Sequence, residues 1–233
     1  MRTYATIPFR DHPELTVALL EQLGEQEGLT GILLLNHAST DETMHDIRNA
    51  LLKLPPHIHF AVRNFPETAT LTIMWNRAWD IAAALLKVDI LFFLNNDIVI
   101  PRDFIKCLRD VLSTDHQLWA VCPDWQPNAD LPVAMAHGVH YVNGAERHGG
   151  MCGWAFAVKV AARTEGGLPP IDENTRWWGG DDDLSFTINQ MGFKVGYVEG
   201  VPIHHLHSRT FAGSGLQQIA NEDLNYIMRK WNR

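Results

Sequence analysis

The sequence has no apolar stretch of the roughly 18–20 residues that a membrane-spanning helix needs. Its first residues do not form a charged leader followed by an apolar segment, so we expect no signal peptide. The three cysteines, Cys107, Cys122 and Cys152, are an odd number at irregular spacing, which is typical of buried thiols in a reducing compartment. We therefore expect a cytoplasmic protein without a membrane span.

Positive charge is also scarce. Lys and Arg number 19 against 27 Asp and Glu, which gives a net charge of −8 over 233 residues. The overall charge does not favour binding to a nucleic-acid backbone or an anionic membrane, and only a local basic patch could serve such a ligand. Hydrophobic residues make up 46% and charged residues 20%, which is typical of a globular protein and excludes extended disorder.

Strand-like apolar runs alternate with amphipathic stretches in the first half of the chain. Strands are predicted at Tyr4–Ile7, Ile32–Leu35, Ile58–Val62 and Ile90–Leu94. The first two helices between them begin at the capping boxes Asp11/Glu14 and Ser39/Glu42, and the third contains Trp75–Leu86. A further helix follows Pro101. This alternation predicts an α/β fold with a parallel sheet covered on both faces.

Polar residues follow each predicted strand. They are Pro8/Arg10/Asp11, Asn36/Ser39/Asp41, Arg63/Asn64 and Asn95/Asn96/Asp97. Because parallel sheets bind ligands beyond the carboxyl ends of their strands, we expect these four groups to converge on one site.

Glycine-rich phosphate-binding loops are missing from the sequence. A nucleotide bound at this edge would need its phosphates neutralised in another way. Asp97, at the end of a buried strand, is a candidate ligand for a divalent ion that could do so. The alternative is that Asn95-Asn96-Asp97 is only a turn, because Asn and Asp suit such positions.

Three consecutive carboxylates, Asp181–Asp183, follow Trp177-Trp178-Gly179-Gly180 and open a predicted helix. One of them can cap the helix, whose amino terminus favours negative charge. The crowding of the others separates their pKa values, which is what a general base requires.

Histidines are concentrated after the predicted strands Lys194–Val198 and Val201–Ile203. His204, His205 and His207 lie within four residues there, which favours a metal-binding role over a structural one. The tail from Leu216 to Trp231 is predicted to be a helix that packs on the domain or on another subunit.

Five motifs in order resemble the GT-A-fold nucleotide-sugar glycosyltransferases, in particular family 2 and its β-1,4-galactosyltransferase-like relatives. They are Ile7-Pro8-Phe9-Arg10, Leu34 to Asp41, Asn76-Arg77-Ala78, Leu94 to Pro101 and Trp178 to Leu184 continuing to Val195. The resemblance implies a mostly parallel central sheet flanked by helices, with a small antiparallel sheet on the acceptor side and a C-terminal helix. It implies one catalytic domain over 1–233, with a nucleotide-binding half (about 1–122), an acceptor and metal half (about 123–215) and the C-terminal helix (216–233).

The resemblance also implies a role for each matching residue. Nucleotide-sugar binding falls to Pro8, Arg10, Asn36, Asn64, Asn76, Arg77, Asn95, Asn96 and Asp97, and the acceptor side to Gly153, Trp154, Trp177 and Trp178. Asp97 with His204 or His205 would hold Mn²⁺ or Mg²⁺. The base would be Asp181 or Asp182, because the motif is one residue short and two alignments are possible. Asn36 and Asn95 stand where the family commonly has Asp.

These roles imply a metal-dependent, inverting transfer of a sugar from a UDP-sugar to an acceptor hydroxyl. The loop Gly149–Gly153 could close over the donor. The acceptor is left open among a small molecule, a glycan, a protein and a modified nucleobase. The alternatives are a sugar-nucleotidyltransferase, a metal-dependent hydrolase on the same fold, and a non-catalytic carbohydrate-binding protein.

Overall fold

The computed structural model describes residues 1–123, 139–142, 151–206 and 216–233. Eight strands of this part form one sheet, in the order β3-β2-β1-β4-β8-β6-β9-β7. Their bounds are β1 Thr3–Phe9, β2 Gly31–His37, β3 His59–Phe65, β4 Ile90–Leu94, β6 Leu118–Pro123, β7 Val139–Val142, β8 Ala155–Lys159 and β9 Lys194–Val198. All of them run in one direction except β8 and β7, which pair antiparallel with their neighbours. The predicted mostly parallel α/β fold is therefore confirmed.

Helices cover both faces of the sheet. They are α1 Pro13–Gly24, α2 Asp41–Leu51, α3 Leu71–Ile81, α4 Phe104–Thr114, α5 Ala161–Thr164, α6 Gly180–Gln190 and α7 Gln217–Lys230. Strand β2 is buried along its whole length, with Ile32 and Leu34 in one core and Leu33 and Leu35 in the other. Alternate side chains of a strand point to opposite faces, so a continuous apolar run fits this doubly covered position.

Three predicted boundaries differ from the structure. Helix α1 begins after His12 without a side-chain cap, because the Asp11 carboxylate instead accepts hydrogen bonds from Thr40 N (3.0 Å) and Thr43 Oγ1 (3.3 Å). Helix α2 is capped by Thr40 rather than Ser39. The helix predicted through Leu86 ends as α-helix at Ile81 and continues as a π-helical turn.

A second, two-stranded antiparallel sheet lies beside the end of β4. It pairs β5 (Ile98–Val99) with β10 (His204–His205), so the strand predicted at Val201–Ile203 is displaced toward the histidines. The pairing sets His205 opposite Ile98, the residue after Asp97.

Cys107, Cys122 and Cys152 are buried, as expected, and are not joined in disulfides. A helix long and apolar enough to cross a lipid bilayer does not occur in the described part of the chain.

Candidate active site

A cavity of about 990 Å³ lies beyond the carboxyl ends of β1 and β4. This volume is large enough for a nucleotide-sugar-sized ligand. Its walls combine strand ends, the segment before α6 and the start of α7: Pro8, Phe9, Arg10, Asp11, His12, His37, Glu67, Leu71, Thr72, Met74, Trp75, Asn95, Asn96, Asp97, Met151, Cys152, Gly153, Trp154, Trp177, Trp178, Gly179, Gly180, Asp181, Asp182, His205, Leu216 and Leu224. Of the four predicted groups of strand-end residues, those after β1 and β4 line the cavity, whereas Asn36/Ser39/Asp41 after β2 and Arg63/Asn64 after β3 do not.

One wall carries a carboxylate next to an imidazole. Asp97 Oδ1 lies 3.1 Å from His205 Nε2, and both side chains are largely buried, at 6% and 17% exposure. The β5–β10 pairing holds them together, and Leu206 N donates to the backbone oxygen of Asp97 (2.8 Å). Trp154 stacks on the His205 ring with centroids 5.4 Å apart and 13° between the planes. His205 is therefore fixed in orientation beside Asp97, whereas His204 is exposed and does not line the cavity.

The other acidic group lies in the first turn of α6. Asp181 and Asp182 both line the cavity. Burial, followed by repulsion from Asp182, raises the pKa of Asp181 to about 7. The backbone N–H groups of Gly153, Asp181 and Asp182 partly oppose this shift, because they hydrogen-bond the charged form. Asp181 is therefore a carboxylate that can exchange a proton near neutral pH.

Gly153 approaches Asp181 more closely than any side chain would allow. A Cβ at residue 153 would lie 2.6 Å from Asp181 Oδ2 and 2.7 Å from its Cγ. Only glycine leaves room for the backbone to contact this carboxylate. The structure thus explains the glycine that the sequence pattern assigned to the acceptor side.

The third acid of the run, Asp183, does not line the cavity. Its carboxylate is 3% exposed and contacts Lys230 Nζ (2.7 Å) and Trp231 Nε1 (3.0 Å) at the end of α7, and it accepts a hydrogen bond from Asp172 N (3.0 Å). The N-cap residue of the helix is Gly179 and not one of the three acids. The crowded run therefore divides into two cavity carboxylates and one structural carboxylate.

Asp223 of α7 is a residue near the site that the sequence reasoning missed. Its carboxylate is 1% exposed and accepts hydrogen bonds from Arg176 Nε (2.9 Å), Trp177 N (2.8 Å) and Trp178 N (3.2 Å). Its position on the helix could have indicated that it is buried, because Asp223 lies on the same inward face as Ala220 and Ile227. A carboxylate on such a face needs polar partners in the interior.

Several predicted nucleotide-binding residues line the cavity: Pro8, Arg10, Asn95, Asn96 and Asp97. The Arg10 guanidinium lies 2.6 Å from Glu67 Oε1, and this bond holds the pKa of the exposed Glu67 carboxyl below its usual range. Asn96 Nδ2 donates to Thr16 Oγ1 of α1 (3.1 Å).

Four other predicted nucleotide-binding residues do not line the cavity. Asn36 Nδ2 donates to Asn64 Oδ1 (3.0 Å), and Asn36 Oδ1 accepts from Ser39 N (3.0 Å), so this pair orders the turn after β2. Asn76 is buried and exchanges two hydrogen bonds with the backbone of Ile171. Arg77 is exposed and pairs with Asp80 at 3.6 Å. Their amides and charges are used by neighbouring protein groups.

The cavity also includes His37, which the motif comparison did not single out. Its Nε2 lies 3.0 Å from Glu67 O, and its ring meets Trp177 edge-on at 5.4 Å between centroids. Burial lowers the pKa of His37, so the imidazole is neutral at neutral pH. His37 therefore connects the strand-end wall with the tryptophan wall.

His207 and the part of the predicted closing loop at Gly149 and Gly150 lie outside the described residues.

No protein-family model matches the sequence, and no curated protein does. Solved structures are nevertheless similar in fold. The mannosyltransferase PcManGT from Pyrobaculum calidifontis, in complex with GDP-Man and Mn²⁺, aligns with a TM-score of 0.60 at 19% identity over 83% of this chain and 53% of its own. GalNAc-T7 with UDP, GalNAc and Mn²⁺ aligns with a TM-score of 0.64 at 15% identity over 88% of this chain and 44% of its own.

A third structure matches over nearly the whole chain. Glucosyl-3-phosphoglycerate synthase from Mycobacterium tuberculosis, in complex with Mn²⁺, UDP and glucosyl-3-phosphoglycerate, gives a TM-score of 0.63 at 14% identity over 99% of this chain and 79% of its own. The chain thus spans about half the length of the first two proteins and more of the third. At these identities the likeness establishes the fold, and the chain has the GT-A fold.

Proposed function

We propose that this protein is a metal-dependent, inverting glycosyltransferase that moves a sugar from a UDP-sugar to an acceptor hydroxyl. The observation that carries the proposal is that the Asp97–His205 pair and the Asp181–Asp182 pair open into one cavity. A pyrophosphate can bind at the first pair while an acceptor hydroxyl meets the second. The solved structures of similar fold support the class, because they contain Mn²⁺ with UDP or GDP-Man.

The donor atoms at Asp97 and His205 fit a divalent cation. Two ligand atoms bonded to one small cation at right angles lie about 3 Å apart, which agrees with the 3.1 Å between Asp97 Oδ1 and His205 Nε2. No cluster of three or more His, Cys, Asp or Glu side chains suited to a metal occurs among the described residues. The remaining ligands would therefore be diphosphate oxygens and water, as is usual for Mg²⁺ at phosphate sites. A cation there would stabilise the charge of the departing nucleotide.

Asp181 is our preferred general base, with Asp182 as its neighbour. A base must accept a proton at the working pH, and the raised pKa of Asp181 suits that task. Asp182 shares the cavity and maintains the repulsion that contributes to this shift. A single displacement assisted by one base inverts the anomeric configuration.

Aromatic walls provide the acceptor side in this proposal. Trp154, Trp177 and Trp178 line the cavity together with Gly153. Indole faces pack well against sugar rings and other flat ligands, and their N–H groups can donate hydrogen bonds. Pro8, Arg10 and Asn95–Asp97 would contact the nucleotide.

We also propose that residues 1–233 form one catalytic domain of a reducing compartment such as the cytoplasm. The sheet takes strands from both predicted halves, since β8 lies between β4 and β6. The three cysteines, which are buried and not disulfide-bonded, support the compartment.

The test begins with donor binding. A thermal-shift panel of UDP-, GDP- and ADP-sugars, with Mn²⁺ and with a chelator, should show stabilisation that needs both the nucleotide and the metal. Nucleotide binding that is indifferent to the chelator would contradict the metal site.

Catalysis is then tested with Asp181→Asn and Asp182→Asn. At least one should lower transfer by about 100-fold or more while nucleotide affinity is retained. The anomeric configuration of the product, read by NMR, tests inversion. Release of free sugar without any acceptor requirement would point instead to a hydrolase.

A further inference from the structure

The C-terminal helix α7 is held by polar contacts to Asp172 and to Asp183 of α6. Asp172 accepts hydrogen bonds from Tyr226 OH (2.7 Å) and Lys230 Nζ (2.8 Å). Asp183 contacts Lys230 Nζ (2.7 Å) and Trp231 Nε1 (3.0 Å). These bonds fix the carboxyl-terminal end of the helix against the loop before α6 and against α6 itself.

The middle of the same helix contacts the segment that leads into α6. Asp223 Oδ1 accepts from Arg176 Nε, and Asp223 Oδ2 accepts from the consecutive backbone N–H groups of Trp177 and Trp178. This segment has no regular secondary structure, so its N–H groups find their partner in a side chain rather than in a strand or helix. A carboxylate that is 1% exposed is costly unless it is bonded in this way.

The segment that Asp223 holds is a wall of the cavity. Trp177 and Trp178 both line it, and α7 adds Leu224 directly while Leu216 lies at its N-cap. Trp177 also meets the His37 ring edge-on. A shift of the Trp177–Trp178 backbone would therefore change the shape of the cavity where these residues line it.

We infer that Asp223 is a positioning residue. Its carboxylate accepts hydrogen bonds from the backbone N–H groups of Trp177 and Trp178, and these bonds fix the wall that the two tryptophans form and thereby orient the acceptor side for transfer. This inference rests on the proposed function. In this inference, α7 shapes the active site in addition to packing on the domain. Asp223 does not line the cavity, so it acts through the two tryptophans.

The test compares Asp223→Ala with three other variants of the same helix. Glu222→Gln removes the exposed ion pair with Arg176 (2.8 Å) and leaves the Trp N–H bonds in place. Tyr226→Phe removes one hydrogen bond to Asp172 and serves as a control for loss of helix docking. Asp223→Asn keeps an oxygen that can accept from the tryptophan N–H groups, and it is the conservative variant for rescue.

The first readout is UDP release from UDP-sugars, with water and p-nitrophenyl glycosides as acceptor probes. Asp223→Ala should lower turnover by roughly 10- to 100-fold, the effect of a displacement near 1 Å, while Mn²⁺-dependent UDP affinity stays as in the wild type. Asp223→Asn should recover part of the loss, and Glu222→Gln should match the wild type. If Asp223→Ala and Tyr226→Phe unfold at the same temperature and Asp223→Ala loses no more turnover than Tyr226→Phe, the inference is overturned.

The second readout does not depend on the reaction. Amide hydrogen exchange of the peptide containing Trp177 and Trp178 should rise in Asp223→Ala and stay unchanged in Tyr226→Phe. If the wild type releases no nucleotide from any nucleotide-sugar, the proposed function fails, and this exchange still decides whether Asp223 holds the wall. Unchanged exchange in Asp223→Ala would refute the inference.

Discussion

Replacing Gly153 with Ala tests whether the position of the Asp181 carboxylate controls the reaction. The new Cβ would lie 2.6 Å from Asp181 Oδ2. Ordinary contact begins near 3.4 Å, so the carboxylate would have to retreat by about 0.8 Å. The substitution would also disturb the hydrogen bond from the Gly153 N–H to the carboxylate. The fold should survive, because overpacking of this kind costs about 1–3 kcal/mol.

Turnover should therefore fall by roughly 100-fold, since a misplacement of about 1 Å in a reacting group has this effect. Mn²⁺-dependent UDP affinity should be retained, because the proposed function places Gly153 on the acceptor side. Loss of the Gly153 N–H bond should raise the pKa of Asp181 further, so the acidic limb of the pH–rate profile should move to higher pH.

The assay is steady-state UDP release as a function of pH, together with calorimetric titration of UDP. Gly24→Ala is the matched control, because a Cβ at the end of α1 meets only Pro55 and Leu54 at 3.5 and 3.6 Å. Wild-type turnover in Gly153→Ala, with the protein folded, would refute the reasoning that links this glycine to the base.

Three further predictions concern metal binding, backbone strain and charge. His205→Ala should weaken Mn²⁺-dependent UDP binding by about 10- to 100-fold, whereas His204→Ala, at an exposed position, should not; equal affinities in the two variants by calorimetry would contradict the assignment. Gly179→Ala should lower the free energy of unfolding more than Gly167→Ala. Both glycines have positive φ (77° and 73°), but only a Cβ at Gly179 meets another side chain, at 2.9 Å. Equal losses of unfolding free energy in urea denaturation would exclude that contact. Asp181→Asn should become more stable relative to the wild type as pH rises from about 4 to about 7. The reason is that a raised pKa of Asp181 in the native protein makes the folded state bind more protons than the unfolded state in that pH window. A difference in the free energy of unfolding that does not change with pH would show that the pKa of this carboxyl is not raised.

The sequence predicted the site best where a residue's role follows from its place on one element. Asp97 follows an apolar strand, and the ends of parallel strands meet at one edge, so its position in the cavity could be predicted without any long-range contact. Asp181 and Asp182 were predicted through the resemblance of the Trp178–Leu184 segment to a glycosyltransferase motif, and both line the cavity.

Roles that depend on distant partners could not be predicted. Asn76 matched a motif, yet its amide bonds the backbone of Ile171, which is 95 residues away in the chain. Asp223 bonds to the backbone of Trp177, 46 residues away, and no local pattern indicates this contact. A motif gives the type of a residue at one position, but the fold decides which groups use its hydrogen-bonding capacity.

Three adjacent carboxylates in one helical turn repel one another, and the contacts of α7 explain how the fold tolerates them. Asp183 is paired with Lys230 and bonded by Trp231, so its charge is balanced on the side away from the cavity. Two acids are then left to share the cavity, and burial together with their mutual repulsion raises the pKa of Asp181. The helix amino terminus favours their negative charge and limits the cost. The C-terminal helix is thus a condition for the acidic turn, because without Lys230 and Trp231 a third buried carboxylate would lose its partners beside the other two.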